Sequence, residues 1–377
     1  MKRVLILTRF FPPEQGAAQE RVRFFAERIG QQGHTVSVYT TYPSYPDYRH
    51  HTQPDVGATS YTLYRFWAPG WGRSWRALTE LWFAARVTVQ LLLSKKPDIL
   101  IVSSPPFFLA LVAVCVRYIR RLPYIVDVRD LYPDSLVHVG WINATHPLSR
   151  LLFTLEKRVY EQAKGVIAIS AHMKKTILAK APTAVVSTIY NGLDYTQYRQ
   201  YETAVQITPP FVHSDKKTVI YIGNFGRVYD FMTILQAAKQ LQKTAWQFVF
   251  VGAGQQQKDM EQYIREQGIE NAFLLPMVGM EQIPSYVKAA DVGIVSLKDI
   301  PLAQGSIPTK IFEYIAAELP VLARVYGEAQ EYFDGYITPF STAEDIVAFL
   351  MKPLPKQQPF IERFDREHGL QTLLSIV

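Results

Sequence analysis

Lys310 and Glu313 stand three residues apart in the run Gly305-Ser306-Ile307-Pro308-Thr309-Lys310-Ile311-Phe312-Glu313-Tyr314. On a helix capped by Thr309, that spacing puts an ammonium and a carboxylate on one face. Such a pair suits a nucleotide, the cation on its phosphates and the carboxylate on its ribose diol. A surface ion pair of little value would show the same spacing. A second run, Gly223-Asn224-Phe225-Gly226-Arg227, directly follows a β-rich stretch. Two glycines allow close backbone approach to a diphosphate, and a guanidinium can sit on its charge. A glycine turn with a solvated arginine is the plainer alternative.

The amino-terminal half offers two weaker constellations. Glu14 and Gly16 lie in Phe10-Phe11-Pro12-Pro13-Glu14-Gln15-Gly16-Ala17-Ala18, a small-residue loop opening a helix. It could bring backbone N–H groups to a phosphate or a reacting sugar, or simply need unusual backbone angles. Asp127-Val128-Arg129-Asp130 closes a strand and leads into Leu131-Tyr132-Pro133-Asp134-Ser135. There a carboxylate and a guanidinium could position an acceptor hydroxyl, or form a structural ion pair; both readings stay open. No G-x-G-x-x-G follows the first strand, and Gly252-Ala253-Gly254 continues into three glutamines, which argues against a nicotinamide cofactor. The sequence contains no D-x-D triplet and no His/Cys cluster at metal spacing, so neither a metal nor a cofactor is expected.

The elements that must hold these residues alternate regularly. Strands are expected at Val4–Leu7, His34–Thr40, Ile99–Ser103, Tyr124–Val128, Val166–Ser170 and Val185–Tyr190, with helical stretches between. The stretch from Asp194 to Lys217, with Pro209-Pro210 and no helical period, reads as a linker. The rhythm then restarts with strands near Thr218–Ile222, Phe248–Val251, Phe273–Leu275, Val292–Ser296 and Val321–Ala323. Helices are expected at Phe231–Gln242, Lys258–Gln267, Ile283–Ala290 and Thr309–Ala317. This is an α/β chain of two doubly wound, Rossmann-like domains with parallel sheets. Ligands of such sheets bind beyond the carboxyl ends of the strands, where the candidate loops fall. The expected division is 1–200, 201–360, and a final helical segment 361–377.

Composition narrows the class. A chain of 377 residues with 48% hydrophobic and 19% charged residues can bury two ordinary cores. The single cysteine, Cys115, excludes an intrachain disulfide and reads as a small buried hydrophobe. The run Val4–Thr8 is too short for a secretory signal, and Phe107–Val116 too short for a bilayer span, so a cytoplasmic protein is expected. Residues 1–200 carry 25 Lys and Arg against 13 Asp and Glu, whereas 201–377 carry 15 against 20. Four of the six tryptophans, Trp67, Trp71, Trp75 and Trp82, crowd together with Arg65, Arg73, Arg76 and Arg86. Tryptophan and arginine on an amphipathic surface suit a peripheral anchor on an anionic membrane, with Trp71, Trp75, Arg73 and Arg76 facing it. A packed helix with solvated arginines is the alternative. Nucleic acid is not the expected partner, since the basic region lacks a recognition module.

Taken together, these motifs resemble the family 4 glycosyltransferases of the GT-B fold, especially those that build bacterial surface polysaccharides. The likeness also includes the Gly33-His34 turn, Asn191-Gly192-Leu193-Asp194, and the Phe364–Leu374 tail as a final helix packing back toward the first domain. The resemblance implies two domains facing across a cleft and a hexosyltransferase without cofactor. Its donor would be a nucleoside-diphosphate sugar, uridine-linked, and its acceptor a lipid-linked or polysaccharide hydroxyl. It implies donor binding by Gly223, Asn224, Arg227, Lys310 and Glu313, with Glu313 on the ribose and Arg227 and Lys310 on the diphosphate. Gly16 would sit at the sugar–phosphate junction, and Glu14, Arg129, Gly305 and Ser306 near the acceptor or sugar. Asp130 stands where many relatives carry a histidine, and with Gly16 and Lys310 completes the catalytic set. Gly305 stands where the family carries the first of two glutamates that contacts sugar hydroxyls, which points to a deoxy or N-acetyl donor sugar. The family mostly retains anomeric configuration. The rivals are a sugar-nucleotide epimerase of the same fold and a non-catalytic nucleotide-sugar-binding subunit.

Overall fold

The computed structural model describes every residue except 15, 44–59, 69–75, 139–141, 144 and 213–214, and every other side chain except those of Arg76, His138 and Leu302. The chain forms two units, Met1–Asn191 with Gly369–Val377, and Gly192–His368.

In the first unit the strands are β1 (Arg3–Leu7), β2 (Thr35–Thr41), β3 (Thr62–Phe66), β4 (Ile99–Ser104), β5 (Tyr124–Val128), β6 (Gly165–Ala168) and β7 (Val186–Thr188). They form one sheet in the order β3-β2-β1-β4-β5-β6-β7, and every pairing is parallel. The helices are α1 (Ala17–Gln31), α2 (Arg76–Leu93), α3 (Phe107–Arg120), α4 (Asp134–His138), α5 (Pro147–Glu161) and α6 (Ala171–Lys180). Strand β1 shows why both faces are covered. Leu5 and Leu7 enter the apolar layer beneath α2, α3, α5 and α6, while Val4 and Ile6 enter the layer beneath α1.

The second unit repeats the scheme with β8 (Lys217–Ile222), β9 (Trp246–Val251), β10 (Ala272–Leu275), β11 (Val292–Ser296), β12 (Val321–Arg324) and β13 (Thr338–Pro339). Their order is β10-β9-β8-β11-β12-β13, again all parallel. Its helices are α7 (Tyr195–Ala204), α8 (Phe231–Gln240), α9 (Gln257–Gln267), α10 (Ile283–Lys288), α11 (Lys310–Ala316), α12 (Glu328–Tyr332) and α13 (Ala343–Leu350). Ile220 and Ile222 face the layer of α10 to α12, and Val219 and Tyr221 face that of α8, α9 and α13. The last helix, α14 (Leu370–Ile376), belongs to the first unit, where Leu370, Leu373 and Val377 complete the layer beneath α1. In each sheet the crossover direction reverses once, between β1 and β4 and between β8 and β11. A crevice at the carboxyl ends of the strands opens at such a reversal.

Several expectations need correction. The stretch read as a linker holds α7, whose start is capped by Asp194 Oδ1 accepting the Gln197 N–H at 3.1 Å. Only Tyr198 of this helix is fully buried, so no apolar period betrays it. The division falls at Asn191/Gly192 and His368/Gly369, away from 200 and 360, and α7 therefore lies in the second unit. Phe364, expected in the final helix, packs in the second unit's core. Strand β3, half-exposed along its length, β13, only two residues long, and α13 were not expected. Cys115 is half-buried on α3.

Candidate functional site

Lys310 opens α11 and is only 7% exposed. Its Nζ donates to the Tyr229 hydroxyl at 3.0 Å and lies 4.3 Å and 4.7 Å from the ring centres of Tyr229 and Tyr221. Among the described residues it forms no ion pair. Aromatic faces offset part of the cost of withdrawing an ammonium from water, and among the described residues no carboxylate offsets the rest.

The Gly223 loop, at the carboxyl end of β8, comes directly onto this ammonium. A Cβ at Gly223 would lie 3.3 Å from Lys310 Cε, and the residue's φ of +129° suits only glycine. Phe225 is fully buried and anchors the loop, while Asn224 and Arg227 are exposed. The Tyr221 hydroxyl donates to the Asn224 carbonyl at 2.7 Å. The loop after β9 forms a shelf beneath. Gly252 approaches so closely that a Cβ there would lie 1.9 Å from the Gly223 carbonyl oxygen. The Gln256 amide donates to the Gly226 and Tyr229 carbonyls at 2.6 and 3.0 Å. The Gly252-Ala253-Gly254 segment, dismissed as a dinucleotide fingerprint, thus holds the candidate donor loop.

Glu313 follows on the same helix and is half-buried. Burial pushes its carboxyl up to about 7, against the pull of Lys310 and Arg366. Its carboxylate makes no hydrogen bond or ion pair among the described residues, so Lys310 and Glu313 are not a closed surface pair. Arg366, 6% exposed, donates to the Gly192 carbonyl at 3.3 Å and is held by the bridge between Leu193 and Asp365. The Tyr198 hydroxyl donates to the Glu313 carbonyl at 3.4 Å. Thr309 departs from expectation: its backbone is helical and its side chain caps nothing. Gly305 and Ser306, both half-buried, precede α11, and the Ser306 N–H donates to the Ala303 carbonyl at 3.1 Å.

In the first unit, Gly16 is the N-cap of α1, and Glu14, 2% exposed, lies buried just before it in the loop after β1. The Asp127 carboxylate forms a structural pair, with Arg21 rather than Arg129: Arg21 Nε and Nη2 donate to Asp127 Oδ1, both at 3.0 Å. Arg129 instead donates to the Pro105 carbonyl at 2.9 Å. Its Nε and Nη1 are buried without a hydrogen-bond partner, and burial lowers its pKa. Asp130 follows at the carboxyl end of β5 and is half-buried. Of the residues expected to face a membrane, Trp71, Trp75 and Arg73 lie outside the described residues, as does the Arg76 side chain. Trp67 is 63% exposed and packs edge-on against Trp82, with centroids 5.3 Å apart. Trp82 itself packs on the core. A depression of about 310 Å³ lined by Arg117, Pro123 and Glu161 to Lys164 lies at the amino ends of β5 and β6, the opposite end of β5 from Arg129 and Asp130.

Sequence reasoning missed Tyr221, Tyr229, Gln256, Tyr198 and Arg366. Tyrosines flanking a glycine loop in an otherwise apolar strand were a readable signal; Arg366, in an unpatterned tail, left none.

Residues 16–192 match the model of the glycosyl transferase 4-like domain, and residues 206–373 that of the glycosyl transferases group 1. Side by side the two take in most of the chain, which belongs to the family 4 glycosyltransferases of the GT-B fold. The chain is 23% identical over 207 residues to TuaH of Bacillus subtilis, assigned to teichuronic acid biosynthesis as a glycosyltransferase; the match spans 53% of this chain and half of TuaH. It is 21% identical to WcaI of Escherichia coli, assigned to colanic acid biosynthesis, over 88% of this chain and 87% of that one. The Anabaena protein HepE, solved in complex with UDP and glucose, is similar in fold, with a TM-score of 0.71 at 15% identity over 100% of this chain and 99% of its own.

Proposed function

We infer that this chain transfers a sugar from a nucleoside-diphosphate sugar, uridine-linked, to a hydroxyl of a glycan or lipid-linked acceptor in surface-polysaccharide synthesis. The observation that carries the reading is the buried Lys310 ammonium, which has no carboxylate partner among the described residues and is pressed against Gly223 and two tyrosine rings. A diphosphate there would meet Lys310 and the Gly223–Asn224 backbone, with Arg227 near its outer oxygens. Glu313, its carboxylate without a hydrogen-bond partner among the described residues, would accept from the ribose hydroxyls. As the bond to the anomeric carbon breaks, negative charge grows on the leaving diphosphate, and a preorganised ammonium stabilises that charge most in the transition state. Gly16 and the start of α1 would serve the sugar–phosphate junction, and Arg129 and Asp130 the acceptor. The reaction needs no metal in this reading and retains anomeric configuration. Gly305 leaves room for a deoxy or N-acetyl sugar. The complex of HepE with UDP and glucose supports the uridine-linked donor.

The acceptor reading is a lipid-linked sugar reached from an anionic membrane surface. Among the described residues no helix is long and apolar enough to cross a membrane. Helix α2 exposes Leu78, Leu81, Val89 and Leu93 along one stripe, with Trp67 also exposed. These apolar groups, rather than Trp82, are the anchor candidates.

The test is thermal stabilisation by a panel of UDP-, GDP- and TDP-sugars, followed by transfer assays with and without chelator. A bound donor at about a hundred times its Kd adds about 2.7 kcal/mol of apparent stability. Stabilisation by none of them, or activity that chelator removes and magnesium restores, would overturn the donor or the metal-free part respectively.

A further inference from the structure

The loop carrying Arg129 and Asp130 runs from β5 into α4, and three elements fasten it. The Arg129 N–H donates to the Ser104 carbonyl at 2.8 Å, Tyr132 stacks on Phe107 with centroids 5.1 Å apart, and Asp134 at the start of α4 pairs with Lys180. Lys180 is the last residue of α6, and its Nζ also donates to Glu156 Oε2 of α5 at 2.9 Å. It lies over the Phe153 ring, 5.2 Å from its centre. Glu156 is 1% exposed, and its other oxygen accepts from the Tyr160 hydroxyl at 2.8 Å. One ammonium thus joins three helices, and the only one of them continuous with the acceptor loop is α4.

We propose that Lys180 is a positioning residue, which by bridging Asp134 to the buried Glu156 fixes the Arg129–Asp134 loop at the carboxyl end of β5. The proposal rests on the reading that Asp130 and Arg129 serve the acceptor. Three features favour it over plain stabilisation. The Lys180–Asp134 pair is part-exposed, at 21% and 22%, and only Glu156 is buried, so screening on one side and desolvation on the other leave little net attraction. Glu156 already has Tyr160 as a partner and could have been satisfied without an ammonium. Helix α4 has only five residues, too few to be stable by itself, so its start gains from an external fastening point.

The experiment compares Lys180→Met, Asp134→Asn and Lys180→Arg with the wild type. Asp134→Asn cuts only the link to α4 and leaves the Lys180–Glu156 pair intact, so a folding failure of Lys180→Met does not decide the matter. Hydrogen exchange over residues 129–138 should quicken in Lys180→Met and Asp134→Asn, stay near wild type in Lys180→Arg, and be unchanged over 222–230. With a UDP-sugar donor and a synthetic prenyl-diphosphate-linked sugar as acceptor, kcat/KM for the acceptor should fall by roughly ten- to a hundredfold in the first two variants, as expected for a misplaced reacting group. Donor Kd should not change. Unchanged exchange over 129–138, or equal losses for donor and acceptor, would overturn the proposal. A wild type that transfers no sugar would instead sink the functional reading, while the exchange data still decide whether Lys180 holds the loop.

Discussion

At the scale of single residues, Lys310 and Glu313 share a helix, and the proposed function divides the work between them. A cation that meets growing negative charge contributes to the transition state, whereas a carboxylate on a ribose contributes equally before and during reaction. Lys310→Met should therefore lower kcat by roughly a hundredfold or more, on the scale of other charge-stabilising donors, with a smaller change in donor Kd. Glu313→Ala should raise donor Kd by about 1.5–3 kcal/mol, the range for hydrogen bonds to a charged group, with kcat nearly kept. Calorimetric titration with UDP beside steady-state kinetics checks both. Equal losses in stability and nothing else would mean that neither touches the donor. Both residues were legible in the sequence because they lie on one short helix and their spacing is local. The tyrosine cage was not, because Tyr221 and Tyr229 reach Lys310 only through the pairing of β8 beside β11.

At the scale of elements, the regular alternation of strand and helix exposed almost the whole architecture to sequence reasoning, since strands buried on both faces read as continuous apolar runs. Two of the elements that escaped had weak patterns, since β3 is half-exposed and α7 buries one residue. Helix α13, by contrast, was readable from its Thr342–Asp345 capping box and its buried Ala343, Ile346 and Leu350. The shelf under the donor loop escaped for another reason, because close backbone approach between two loops leaves only a glycine as its trace. Gly252→Ala should lower stability and donor affinity together, since the new Cβ would overlap the Gly223 carbonyl. A melting curve with and without UDP measures both effects. Glu156 gives a pH dependence of known sign. Burial pushes its carboxyl up to about 7, against the pull of Lys180 and Tyr160. A raised folded-state pKa favours the folded chain below the unfolded value near 4.5 and loses that advantage as pH rises through about 7. The melting temperature of the wild type, relative to Glu156→Gln, should thus fall between pH 5 and pH 8. A difference that is flat across that window would show that Glu156 is not held this way.

At the scale of the molecule, the basic excess of residues 1–200 accompanies the exposed apolar stripe of α2. Vesicle flotation separates the two contributions. Leu78→Ser with Leu81→Ser should weaken binding to anionic vesicles at every salt concentration, whereas replacing Arg86 and Lys95 with Gln should weaken it mainly at low salt. A wild type that never floats would remove the membrane surface as a partner. UDP binding should survive both changes, since Lys310 and Glu313 belong to the other unit.

The first unit is built from two separated stretches, and its apolar layer beneath α1 waits for Leu370, Leu373 and Val377. Synthesis on the ribosome runs from the amino end, so the second unit emerges and can fold before the first is finished. Each fully buried aliphatic side chain contributes about 1.5–3 kcal/mol, and the three close a layer that already holds Phe24, Phe25 and Ile29. A released chain truncated after Gly369 should therefore carry a closed second unit and an open, protease-sensitive first one.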